Sequence, residues 1–437
     1  MTIWTQLGKQ LLKLAALDYC PVYIFWWPFS PLTPMQRIRR TASRYQFAPY
    51  PLPRRVLLRG LLLMTWPVRV IWLSWASSHQ LGPRVAERTG KRLWRQRLEL
   101  LGLAFVRFVP PTAYYRYALY QEKGWLVAVD YLHNHEREGL GRALNAPPPD
   151  EAINDKLQFA RVCMQHGISS VPVLAVADRH GMVSLEGTPG GQLPRDHLFV
   201  KPARGLRGEG SLHLRWVNSG HYQRQDGSTF SPQELTAYLL RLGREQTYLV
   251  QPCLTNHPAL VTLTNGALAT ARIVTGRMPD GEIVIIAATL KLPFDQAITS
   301  TYGLHSTIDL DAGTSGKGYQ YTPLSPGVDV HPDTKSRITG KTVPDWSRAC
   351  QLVHQVHRNF TTYVFLGWDI AFTATGPVVL EGNVGWDVPT VQMPEQKPLG
   401  QTRFIEVCIA HLQPDGKLPN TPPRRATVSS EDHKEKY

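Results

Sequence analysis

Apolar and polar positions are most regular in the last third of the chain. The stretch "LGWDIAFTATGPVVLEGN", Leu366 to Asn383, predicts two strands, Trp368 to Thr373 and Pro377 to Glu381, around the turn Ala374-Thr375-Gly376. Side chains at i and i+2 share a face of a strand, so Glu381 and Asn383 point together at the end of the second. A second hairpin, "ALATARIVTGRMPDGEIVIIAATLKLP", turns at Pro279-Asp280-Gly281, with Arg272 among small residues in its first arm and Lys291 ending its second. Either charge could simply snorkel to solvent.

Upstream, "NDKLQFARVCMQHGISSVPVLAV" predicts a helix capped at Asn154 that buries Leu157, Ala160, Val162 and Cys163. It stops at Gly167 and is followed by a strand from Val171 to Val176. The segment "HLFVKPARGLRGEGSLHL" predicts strand, loop and strand, with Lys201 entering a loop that holds Gly205, Gly208 and Gly210. "TYLVQPCLTNHPAL" is an apolar strand running into Gln251 and a Pro-Cys-Leu turn that ends at Leu254.

The first quarter has another pattern. "RRVLLRGLLLMTWPVRVIWLSWASS", Arg54 to Ser78, is apolar but interrupted by Arg59, Pro67 and Arg69. A spanning helix wants ~20 mostly apolar, uncharged residues, so the segment predicts either an interfacial surface or a basic helical region packed on the rest of the protein. Charge sharpens the contrast. Of the 48 Lys+Arg and 34 Asp+Glu, residues 1–110 hold 17 and three, so the net +14 of the whole chain resides there. Seven of the twelve tryptophans (Trp4, Trp26, Trp27, Trp66, Trp72, Trp75 and Trp94) lie there too. Cations and tryptophans around leucine-rich turns suit anionic lipid headgroups, while the apolar content exceeds what nucleic acid contacts need, and no nucleic acid partner is expected. "MTIWTQLGKQLLKLAALDYC" carries Lys9 and Lys13 inside its apolar pattern and does not read as a signal peptide.

Composition divides the chain into a basic, Trp-rich, mainly helical region (1–110), a Tyr-rich lead-in and Pro-rich linker (111–150), a principal domain (151–413) and a polar tail (414–437) expected to be disordered. Five widely spaced cysteines without a C-x-x-C pair exclude a disulfide framework and a cysteine zinc site, and point to a reducing, cytoplasmic setting.

Three oxygen-bearing side chains, Asp369, Glu381 and Asn383, form the kind of hard-donor set that holds Mg2+ beside phosphates. The glycine loop after Lys201 would let backbone N–H groups approach a phosphate, though glycine-rich hairpins with one lysine are also ordinary turns. The Gln251 strand end suits a purine and equally a buried strand exit. "GTSGKG", Gly313 to Gly318, lacks phosphate-loop spacing and reads as a polar loop. His354 and His357 read as surface histidines of a helix, and His257 and His305 as loop residues that could meet substrate but are assigned no role.

The ordered set "NDK", "FVKPARGLRGEG", "YLVQPCLTNHP", "ARIVT", "HPDT", "ITGKTVPDW", "GWDIAFT" and "LEGN" resembles the ATP-grasp superfamily, and within it the sugar-transfer-associated ATP-grasp family, from about Pro147 to Ala410. The resemblance implies an α+β fold whose two lobes clamp ATP, with Mg2+ as the second cofactor. It implies that Lys156 and Lys201 contact phosphates, that Gly205, Gly208 and Gly210 cover them with Arg204 and Arg207 as further cations, and that Gln251 and Leu254 read adenine. Asp369, Glu381 and Asn383 would hold the metal and Arg272 the transferred phosphate. The stretch Leu290 to Gly313 departs from the family pattern, with Lys291 standing in for an expected arginine. The implied activity is ligation of a carboxylate to an amine or other nucleophile through an acylphosphate, on small-molecule or glycan-linked substrates, at the inner face of the membrane. A phosphotransferase or a non-catalytic nucleotide-binding scaffold would share the same parts.

Overall fold

In the computed structural model the described residues are 33–147, 150–184, 193–205, 209–217, 219–264, 266–294 and 303–412. The expected tail, Arg207, Gly208, Trp4, Trp26 and Trp27 lie outside them. The alternating stretches pair into two antiparallel sheets. The first contains β1 (Ala175–Asp178), β2 (Gly181–Ser184), β3 (Leu198–Pro202), β4 (Leu212–Val217), β5 (His221–Arg224), β6 (Thr229–Phe230) and β7 (Tyr248–Pro252), in the order β2-β1-β7-β3-β4-β5-β6. The second contains β8 (Thr270–Arg277), β9 (Ile283–Leu292), β10 (Leu304–Ile308), β11 (Ser315–Gln320), β12 (Phe365–Thr373) and β13 (Gly376–Asn383), in the order β11-β10-β9-β8-β12-β13. The α+β fold class is as expected.

Both faces of the six-stranded sheet are covered, which explains its nearly continuous apolar runs. Ala271, Ile273, Leu290, Trp368 and Ile370 face one core with Leu352 and Val356 of helix Trp346–Arg358 and with Phe159 and Cys163 of helix Lys156–Gln165. Val274, Val284 and Ile286 face a second core with Ile38 of helix Pro34–Tyr45, Leu140 of helix Asn134–Leu144 and Phe404 of helix Arg403–His411. Helix Pro34–Tyr45 is thus part of the packing around this sheet. Its Arg39, fully buried, lies 3.1 Å from Glu136 Oε1 and donates to Tyr131 O at 2.7 Å.

Four local expectations change. The helix cap is Asp155, which accepts from Leu157 N and Gln158 N, rather than Asn154. The strand expected from Val171 begins at Ala175. "GTSGKG" supplies most of β11, because its backbone pairs with β10 from Ile308↔Ser315 to Ser306↔Gly318, and Gly316 lies against Thr307. His357 is buried, with Nδ1 2.7 Å from Thr275 Oγ1 and Nε2 3.1 Å from Tyr363 O, a core histidine satisfied at both nitrogens.

Besides helix Pro34–Tyr45, the described part of the basic quarter forms helix Leu52–Thr89, of 38 residues with Pro67 and Pro83 inside it, and helix Leu93–Val106. Its interrupting cations turn inward. Arg69 donates to Leu62 O at 2.8 Å, and Arg59 to Arg44 O at 2.6 Å. Val56, Leu57, Met64, Val68, Ile71, Trp72 and Trp75 are left exposed, with Met64 at 84%. Their spacing of three and four places them along one side of the helix. By length and composition Leu52–Thr89 is also apolar enough to cross a membrane.

Candidate functional site

The six-stranded sheet changes character along its length. On the face where Val274 and Ile286 pack under helices, the same strands continue into Thr270, Arg272, Thr289, Lys291 and Asp369. Arg272 and Asp369 are direct cross-strand partners, while Lys291 lies diagonally across from Arg272. Arg272 Nε is 2.6 Å from Asp369 Oδ1, its Nη2 donates to Oδ2 at 3.0 Å, and Lys291 Nζ reaches Oδ1 at 3.0 Å. Burial alone would raise the Asp369 carboxyl; Arg272 and Lys291 override it and hold the group below the ordinary carboxylate range. Burial lowers the Lys291 ammonium despite the Asp369 charge.

Glu381 and Asn383 reach this face through an irregularity. Asp369 pairs with Glu381, but Ile370 pairs with Val379, so Leu380 is an extra residue in β13. Such a bulge shifts the strand's phase by one. Val379 therefore faces the core while Glu381, two residues on, faces the site beside Asp369. Gly382 confirms the phase: a Cβ there would meet Ile153 Cδ1 and come 2.7 Å from Trp368 Cζ3, both core atoms. Asn383 Nδ2 lies 3.4 Å from Glu381 Oε1, so the two side chains do point together.

From the seven-stranded sheet, Lys201 on β3 and Gln251 on β7 share the face opposite Val200 and Val250, which are buried under helix Pro232–Gly243. Lys201 feels the Glu381 charge, so these polar ends of the two sheets lie within electrostatic reach of each other. Burial pushes the Lys201 ammonium down to about 8; Glu381 opposes the shift and Lys156 adds to it. Lys156 Nζ donates to Gly205 O at 3.0 Å, and its backbone N donates to Ala203 O, so this lysine stands at the mouth of the glycine loop. Gly205 and Gly210 have φ of +157° and +74°, conformations that side-chain-bearing residues rarely adopt. Arg204 is exposed and paired with Asp155 at 3.1 Å. The Gln251 side chain is buried and its Nε2 donates to Val171 O at 3.1 Å, while Leu254 is half-buried just beyond the strand.

The structure thus gathers Lys156, Lys201, Gly205 and Gly210 on one side and Arg272, Lys291, Asp369, Glu381 and Asn383 on the other, with the Glu381 charge felt at Lys201. Glu381 and Asn383 offer side-chain oxygens of the kind a hard cation takes, and among the described residues no ion pair engages Glu381, whereas both oxygens of Asp369 already accept from Arg272 and Lys291, so a cation would share that carboxylate with them. Two neighbours were given no role from sequence, and one of them, Asp387, was not singled out at all. His305, expected in a loop, lies on β10 opposite Lys291, and Asp387 follows the Glu-Gly-Asn stretch. The charge of Asp387 is felt at Arg272. A lone histidine in a stretch without clear alternation carries no local signal; only the β9–β10 register brings it here.

A family model described as "Sugar-transfer associated ATP-grasp" matches residues 136–406. No curated protein matches the sequence. Among solved structures, an ADP complex of N5-carboxyaminoimidazole ribonucleotide synthetase is 8% identical with a TM-score of 0.32, over 54% of this chain and 45% of that one. L-amino acid ligase from Bacillus licheniformis is 10% identical with a TM-score of 0.31, over 57% and 48%. D-Ala:D-Ser ligase from Enterococcus faecalis is 14% identical with a TM-score of 0.32, over 59% and 61%. The chain spans about half the length of the first of these structures.

Proposed function

We propose the following activity for this chain, which belongs to the sugar-transfer associated ATP-grasp family: ATP- and Mg2+-dependent ligation of a carboxylate to an amine or another nucleophile. The observation that carries it is the buried triad of Arg272, Lys291 and Asp369, with Glu381 on the neighbouring strand close enough for its charge to be felt at Lys201 of the other sheet. Phosphoryl transfer asks a protein mainly for alignment and charge neutralisation, and this cleft supplies four cations and an acidic pair without a protein nucleophile.

In this reading Lys156 and Lys201 bind the phosphates of ATP, the backbone of the loop that includes Gly205 and Gly210 closes over them, and the strand end at Gln251 and Leu254 receives the base. A substrate carboxylate oxygen attacks the γ-phosphorus, the bond from that phosphorus to the bridging oxygen of ADP breaks, and Arg272 steadies the transferred group. Lys291 holds Asp369 and Arg272 in register. The nucleophile then forms its bond to the acyl carbon, inorganic phosphate leaves with the C–O electron pair, and the nucleophile's proton is released. Asp369, Glu381 and Asn383 would hold Mg2+, which when bound offsets the negative charge of the phosphate oxygens.

The glycan part of the proposal, action on a cell-surface polysaccharide precursor, is supported by the family description and by the exposed stripe of helix Leu52–Thr89. ATP as co-substrate puts the reaction in the cytoplasm, with that stripe lying in the inner membrane interface as a peripheral contact. Calorimetry of ATP with Mg2+ tests the core reading. Binding that requires Mg2+ and disappears in Glu381→Ala is the expected result. A folded wild-type chain that binds no ATP would overturn the proposal.

A further inference from the structure

A cavity of about 40 Å3, room for a few waters or one small ion, lies where helical residues preceding the family-matched region meet the end of β11 and the turn after it. From the first side come Arg88, in the last turn of helix Leu52–Thr89, and Tyr115, Arg116 and Tyr120; from the second come Tyr319 and Thr322. Arg88 pins the seam, its Nη1 donating to Leu324 O at 2.9 Å. Of the described non-glycine residues with left-handed φ, three border this one cavity: Ala118 at +51°, Leu324 at +61° and Gln396 at +50°. Such conformations cost energy, and they gather where a backbone is shaped around a ligand.

The cavity wall carries two guanidinium groups and no carboxylate. Arg116 is half-buried, and among the described residues no hydrogen bond or ion pair engages its guanidinium; Arg88 spends one nitrogen on Leu324 O. Tyr115 gives its proton to Gln96 Oε1 at 2.9 Å, whereas the hydroxyls of Tyr120, Tyr319 and Thr322 have no hydrogen-bond partner among the described residues. Burial raises the Tyr120 phenol against the opposing charge of Arg88, so that hydroxyl keeps its proton and can donate. Donors and positive charge thus converge on a space that offers them no acceptor. A phosphoryl group answers both needs, with close to about two negative charges for the two cations and three terminal oxygens for the guanidinium and hydroxyl donors. A carboxylate brings one charge and two oxygens, and would leave one guanidinium uncompensated.

We propose that this cavity binds a phosphoryl group, held by Arg116 and Arg88 with the hydroxyls of Tyr319 and Thr322 as further donors. None of the residues placed at the phosphates of ATP borders it, so it is a second site, and it stands whether or not the chain is a ligase. It lies toward the reaction cleft: the Arg116 charge is felt at Tyr321, the Tyr321 phenol is hydrogen-bonded to Asp387, and the Asp387 charge is felt at Arg272. The phosphoryl group therefore belongs either to a phosphorylated small molecule that extends toward the cleft or to free phosphate.

The test is calorimetric titration of the full-length chain, at fixed ionic strength, with inorganic phosphate and with D-glucose 1-phosphate. Saturable binding of at least one of them is expected. Arg116→Gln should weaken it about tenfold or more, the loss expected for hydrogen bonds to a charged group, and Tyr319→Phe, which removes one neutral donor, about threefold. Lys201→Gln should leave it within about twofold, which separates this cavity from the nucleotide site. The urea midpoint of Arg116→Gln should match the wild type, because its guanidinium has no partner to lose among the described residues. Tighter binding of the ester assigns the site to a phosphorylated substrate, and tighter binding of the free ion to phosphate itself. No saturable binding of either compound, binding that Arg116→Gln and Tyr319→Phe leave unchanged, or binding that Lys201→Gln removes would overturn the inference.

Discussion

Arg272 and Asp369 face each other across β8 and β12 and share two hydrogen bonds, 2.6 and 3.0 Å long, with Lys291 Nζ 3.0 Å from the same carboxylate oxygen. All three side chains are about nine-tenths buried. The carboxylate is what allows two cations to stand together in a desolvated cleft. Its neutralisation would leave both uncompensated, and removing one member of a buried ionic group costs far more than the group contributes as a whole.

Asp369→Asn is therefore expected to lower unfolding stability by about 3–5 kcal/mol, the range for breaking a buried ion pair from one side. The midpoint of urea unfolding reads this directly. A shift below about 1 kcal/mol, the level of an exposed pair, would mean that the triad is solvated in solution.

Lys201 gives a pH dependence with a defined sign. Its pKa falls from the ordinary lysine value to about 8 because of burial, with Lys156 adding to the shift and Glu381 opposing it. In the folded chain it loses its charge before the unfolded chain does. The penalty for burying the charge is thus fully present below pH 8 and is relieved as pH rises toward the unfolded value, so this group's contribution to stability improves above pH 8. Phosphate binding runs the other way: ATP affinity should weaken between pH 7 and 9.5, and Lys201→Arg should flatten that profile. A wild-type affinity constant over this range would contradict the phosphate role of Lys201.

Gly382 is fixed by packing rather than by backbone conformation. An added Cβ would press on Ile153 Cδ1 and stand 2.7 Å from Trp368 Cζ3, and Trp368 is fully buried against Phe159 and Phe360. Gly382→Ala should cost about 1–3 kcal/mol, as overpacking does. It should also weaken Mg2+-dependent ATP binding, because the strand carrying Glu381 and Asn383 must move. Unchanged urea unfolding and unchanged binding in this variant would show that the core yields there.

The exposed side of helix Leu52–Thr89 predicts vesicle binding. Flotation of the full-length chain with vesicles containing anionic lipid is expected, with less binding to neutral vesicles. Val68→Glu combined with Ile71→Glu should reduce it by about tenfold or more, since each buried aliphatic side chain contributes about 1.5–3 kcal/mol. ATP binding should be untouched. Flotation that ignores both lipid charge and the double substitution would remove the membrane reading.

Periodicity alone determined the hairpins β8–β9 and β12–β13, the helix after Asp155, and the uneven charge that sets residues 1–110 apart. These follow from local alternation, caps and composition, which the chain carries wherever it is placed. The shared direction of Glu381 and Asn383 was legible for the same reason, and so were Lys201 and Lys291 as charges at strand ends and Arg272 as a charge within a hairpin arm. Strand phase was not legible. Simple alternation would put Glu381 on the face of Val379, in the core, and only the extra residue Leu380 in the β12–β13 ladder turns it toward Asp369. Likewise, nothing local distinguishes Asp387, or His305 in an irregular stretch, from an ordinary polar residue. "GTSGKG" becomes a strand, and His357 a core residue, only because β10, Thr275 and Tyr363 supply their partners. Register between distant strands and the satisfaction of buried polar atoms are properties of pairs far apart in sequence, and tertiary packing decides them.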